Sequence, residues 1–77
     1  MNDEMFCVLI VHDNGFAHAD SMTYNRVKEI IGSLPEIGSQ FDLQDKHSEN
    51  GIVECEVIAI CSSAYEAMNI EMNAYNH

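Results

Sequence analysis

The sequence predicts a small α+β domain, a two-layer sandwich of a three-stranded antiparallel sheet with two helices on one face. Three observations lead there. The 77 residues are enough for one domain and no second, so 1–77 is read as a single unit. A 47% hydrophobic and 21% charged composition supplies a core and marks a globular chain rather than a disordered one. The apolar pattern also changes period along the chain, giving the element order β-α-β-β-α.

Glu4 to His12 (EMFCVLIVH) is β-branched and aromatic through its centre and is closed by Asp13-Asn14-Gly15. It reads as a strand with apolar residues on both faces, followed by a loop to Asp20. Ser21 or Asp20 then caps a helix running to about Ser33. Its stripe is Tyr24, Val27, Ile30, Ile31 and Leu34, and Gly32 and Pro35 end it. Gln40 to Asp45 (QFDLQD) alternates strictly, with Phe41 and Leu43 on one face, and reads as a half-buried strand. Lys46 to Gly51 turns the chain into a third strand, Ile52 to Cys61. Ser63-Ala64-Tyr65-Glu66 fits a capping box, which opens a second helix with a Tyr65, Met68, Met72, Tyr75 stripe.

The second and third predicted strands form an antiparallel hairpin, and the strand–helix–strand crossover is expected to be right-handed. The simplest sheet has the order 1-3-2 with both helices on one face. It resembles a truncated ferredoxin-like pattern lacking its last strand. The other sheet face is then bare. Glu54 and Glu56 are costly to bury, so Ile52, Glu54, Glu56, Ile58 and Ile60 are assigned outward and Val53, Cys55, Val57, Ala59 and Cys61 inward. Asp42 joins the outer face from the second strand, between Gln40 and Gln44. The bare face is thus expected to be acidic at one end and apolar at the other. Asp42, Glu49, Glu54, Glu56, Ile58 and Ile60 are the candidate partner-binding residues. The first strand becomes a sheet edge without proline or charge, which makes Phe6, Val8 and Ile10 a candidate edge for a homodimer.

Thirteen acidic residues against three basic ones give a net charge of −10. That excludes direct binding to nucleic acid or to an anionic membrane and points to a basic protein partner. The longest apolar run, Met5 to Val11, is far short of a membrane span. The first residues contain no basic leader. Three cysteines without a CxxC pair suit a reducing compartment, so a cytoplasmic location is expected, the host cytoplasm if the chain is phage-encoded.

Catalytic motifs and cofactor sites are not expected. Cys7 and His12 fall on opposite faces of one strand, which rules out a thiol–imidazole pair. Neither GxGxxG nor a P-loop occurs. His12, Asp13, His18 and Asp20 cluster in sequence but lack zinc-site spacing, so no metal is assigned. The Asp13-Asn14-Gly15 turn ahead of a helix is similar to that of βαββαβ amino-acid-binding regulatory domains, and the resemblance implies a small ligand by that loop.

Glu54 and Glu56 stand about 7 Å apart on one side of a strand, comparable to phosphates along a nucleic-acid strand. A domain of this length spans about 30 Å, over which a duplex carries about 18 charges. A dimer approaches that charge and a single chain does not. Size, acidity and lack of catalytic motifs resemble the small inhibitors that phages make against restriction or CRISPR systems. The resemblance implies a non-enzymatic nucleic-acid mimic that occupies a basic surface of its target. An antitoxin- or immunity-like partner and a small-ligand or metal-sensing module are the alternative readings.

Overall fold

The computed structural model describes residues 4–75. The elements run β1 (Phe6–Asp13), β2 (Phe16–Thr23), α1 (Tyr24–Ile31), β3 (Gln40–Gln44), β4 (Ile52–Cys61) and α2 (Ala64–Tyr75). One antiparallel sheet has the order β2-β1-β4-β3. The predicted three-strand order is present within it, and the α+β class holds. The fourth strand, β2, lies where the sequence reading put a loop and a helix cap.

Asn14 (φ 55°) and Gly15 (φ 89°) are both left-handed. His12 pairs with Ala17 and Asp13 with Phe16, so these two residues form the tight turn of a hairpin whose twist matches its strands. The turn therefore leads into a strand rather than a helix, which removes the likeness to the amino-acid-binding domains. β2 is antiparallel to β3 through the sheet, so the handedness rule for crossovers between parallel strands does not apply. β2 also covers the edge of β1. Phe6, Val8 and Ile10 lie on an interior strand bonded on both sides, so they cannot serve as a dimer edge.

Both helices were expected on one face, and the structure places one on each. Cys7, Leu9 and Val11 of β1 pack with Val27 of α1 and with Val53, Cys55 and Val57 of β4. Val8, between them in sequence, packs with Cys61 and with Ala67 of α2. Successive strand residues point to opposite faces, so α1 and α2 lie on opposite sides of the sheet. The apolar character of β1 on both faces follows from this, because each face is covered by a helix.

The pairing of β1 with β4 shifts register between Val8 and Leu9, where Val8 meets Ala59 and Leu9 meets Val57. Ile58 is the extra residue of a β-bulge. Beyond it the phase of β4 inverts. Ile58 is half-buried beneath α2, and Ile60, opposite Cys7, is half-buried on the α1 face. Neither forms the outward apolar surface expected of them. Ala59 and Cys61 face α2, while Val53, Cys55 and Val57 face α1.

Thr23 caps α1, its hydroxyl accepting the Arg26 N–H at 3.2 Å, and Gly32 (φ 83°) closes it by donating to Lys28 O at 2.8 Å. The cap falls two or three residues later than expected because β2 continues through Thr23. Ser63 Oγ accepts the Glu66 N–H at 3.2 Å, and the Glu66 carboxylate accepts from the Ser62 hydroxyl at 3.4 Å. α2 sits on the sheet by Ala67 and Ile70. Its expected core stripe faces outward instead, with Tyr65 at 74%, Met68 at 55% and Met72 at 58% exposure. The Tyr75 side chain lies outside the described set. Among the described residues no helix is long and apolar enough to cross a membrane.

Candidate functional site

α2 covers only part of its sheet face. Residues paired across strands share a face, and this locates the uncovered part. One row runs Ala17, His12, Glu54, Asp42, and the next runs Ala19, Ile10, Glu56, Gln40. A third pair, Ile52 and Gln44, extends the surface toward the turn. Asp42 and Glu54 are exposed and Glu56 is half-exposed. Together with His12 and Gln40 they line a shallow, open concavity of about 610 Å³.

The alternation of β3 and β4 sets this geometry. Phe41 and Leu43 are drawn to the α1 face by the core, which turns Gln40, Asp42 and Gln44 the other way. Val53, Cys55 and Val57 do the same for Glu54 and Glu56. Directly opposed like charges such as Asp42 and Glu54 are unfavourable on a sheet. The site therefore costs stability that a cationic partner would return. Gln40 Nε2 donates to Glu56 Oε1 at 3.4 Å, which offsets little of that charge. No lysine or arginine lies on any strand. Arg26 and Lys28 are on α1, beyond the opposite face, and Lys46 is in the β3–β4 connection.

Glu49, in that connection, is tied to the β1–β2 turn. Asn14 Nδ2 donates to Glu49 Oε2 at 2.6 Å, and the buried Ser48 hydroxyl lies 2.9 Å from Asp13 Oδ1 and 3.2 Å from Ile52 O. These contacts hold the β3–β4 connection against the β1–β2 turn. Of the six expected partner-binding residues, the structure brings together Asp42, Glu54 and Glu56. Glu49 is held at the β1–β2 turn through Asn14, Ile58 is covered by α2 and Ile60 lies on the α1 face. His12 is the neighbour that sequence reasoning missed; its place opposite Glu54 is set by the β1–β4 register, which no local turn signal fixes.

The residues His12, Asp13, His18 and Asp20 do not converge. His12 shares the face of Glu54, whereas Asp13, His18 and Asp20 lie on the face of Val11 and Leu9. No group of three or more His, Cys, Asp or Glu side chains positioned for a metal occurs among the described residues.

Cys7, Cys55 and Cys61 are buried and unpaired by disulfides. Burial pushes the Cys55 thiol from 9.0 up to about 11, with Asp20 and Asp42 adding to the shift. Burial likewise raises Cys7, helped by Cys61, and Cys61, helped by Glu66. These are protonated core thiols rather than nucleophiles. A water-soluble disulfide reagent is expected to label none of them at neutral pH until denaturant is added. Above pH 9 the unfolded chain loses thiol protons that the folded chain retains. Stability is therefore expected to be complete below pH 9 and to fall as pH rises through about 11. The slope is up to about 1.4 kcal/mol per pH unit for each thiol, measurable by urea unfolding.

No family model matches the chain, and neither a curated protein nor a solved structure is significantly similar to it.

Proposed function

We propose that the protein is a non-enzymatic acidic inhibitor that occupies a basic, nucleic-acid-binding surface of another protein, in the manner of phage inhibitors of restriction and CRISPR systems. The observation that carries this reading is the placement of Asp42, Glu54 and Glu56 on one open half-face, with every lysine and arginine off the strands. An antitoxin-like role would use the same surface physics and differ only in the partner. The apolar half of the interface expected from Ile58 and Ile60 has no part in it. Recognition then rests on charge, so the complex forms quickly and weakens with salt. The test is capture of a basic partner by the intact chain and by E54K/E56K, at low and high salt. Undiminished capture by the double variant would overturn the reading.

A further inference from the structure

We propose that the chain forms a homodimer by antiparallel pairing of two β2 strands about a two-fold axis at Ala19, closed on one side by the α2 helices. Among the described residues β2 is bonded to β1 alone; it spans 8 residues and contains no proline, lysine or arginine. A bare edge of this length is a template for a further strand.

Symmetry restricts the register. A two-fold axis perpendicular to the sheet pairs side chains of the same face, so it passes through a residue. With the axis at Ala19, His18 of one copy lies opposite Asp20 of the other, and Phe16 lies opposite Met22, all on the α1 face. The two strands then contribute two imidazole–carboxylate pairs and cover Phe16, which is 78% exposed in the protomer. An axis at His18 sets imidazole against imidazole and Phe16 against Asp20. An axis at Asp20 sets carboxylate against carboxylate, which like-charge repulsion disfavours.

The other face supplies a second, independent contact. On it β2 presents only small side chains near the axis, Ala17, Ala19 and Ser21. Glu71 of α2 approaches Ser21 Oγ at 3.5 Å, while Ile70 packs against the Val8 and Cys61 cluster. The flank of α2 that carries Glu71 therefore looks toward the β2 edge. Met68, three residues before Glu71, lies on that flank, and Met72, one turn on from Met68, continues it over the solvent side of the helix. In the dimer the two helices flank the axis above a floor of small residues, with Met68 of one copy facing that of the other and Met72 at the solvent rim of the contact. Tyr65 extends the same stripe. The product is an eight-stranded sheet with both acidic half-faces on one side. Their β4 strands stand about 24 Å apart at about 4.8 Å per strand.

Sedimentation equilibrium on the full chain, with circular dichroism as a control for folding, tests this independently of any partner. The expected mass is twice 8.7 kDa. H18D sets two carboxylates opposite one another at each pair and is expected to raise the dimer Kd about tenfold or more. The swap H18D/D20H restores complementarity and is expected to restore the dimer. M68E/M72E, at exposed positions, is expected to give folded monomer. A monomer mass at every concentration would overturn the proposal, as would a dimer indifferent to both H18D and M68E/M72E. Failure of the swap to rescue H18D would overturn the Ala19 register.

Discussion

Leu9→Ala is expected to remove most or all of the domain's stability. Leu9 is the largest of the fully buried side chains, at 1% exposure on interior strand β1, and belongs to the cluster with Cys7, Val11, Val27 and Val57. Truncation of such a residue costs about 3–5 kcal/mol, combining lost transfer energy with the cavity left behind. A chain of this length has about 4–12 kcal/mol in total, and a charge of −10 works against compactness. Urea unfolding checks the prediction through a collapse of the midpoint. Met68→Ala, at an exposed position, is expected to shift protomer stability by no more than about 0.5 kcal/mol. Comparable losses at both positions would mean that α2 packs by its methionines after all.

E54K/E56K is expected to weaken binding to a basic partner by about 100-fold or more. Like-charge juxtaposition in an interface costs several kcal/mol, and each reversal replaces an attraction with a repulsion. Folding is expected to survive. Glu54 stands between His12 and Asp42 in its row, so lysine there relieves a like-charge pair across strands and places a cation beside Asp42. The melting temperature should stay level or rise while affinity falls. The opposite pattern, a lower melting temperature with affinity retained, would assign these carboxylates a structural role.

How much was legible in the sequence differs element by element. β3 and the first half of β4 alternate cleanly, and their alternation alone placed Asp42, Glu54 and Glu56 on one face. β2 does not alternate, because its α1-facing side chains Phe16, His18, Asp20 and Met22 mix apolar with polar and its α2-facing ones, Ala17, Ala19 and Ser21, are all small. Its signal was the Asn14-Gly15 turn, which fixes a hairpin by backbone conformation rather than by hydrophobic period. The bulge at Ile58 contains no glycine or proline and left no local mark. It nonetheless moved Ile58 and Ile60 to opposite faces, because a one-residue shift inverts every side chain beyond it. In α2 the larger apolar residues suggested the wrong stripe. The helix approaches the sheet through Ala67 and Ile70, leaving Tyr65, Met68 and Met72 outside.

Competition with duplex DNA tests the acidic face most directly. A basic nucleic-acid-binding partner bound to the intact chain is titrated with duplex at fixed ionic strength, and free and bound chain are followed by fluorescence anisotropy. If Asp42, Glu54 and Glu56 occupy the place of phosphates, DNA and protein exclude one another and the apparent affinity falls in proportion to added duplex. A stable ternary complex of DNA, partner and this chain would contradict that assignment.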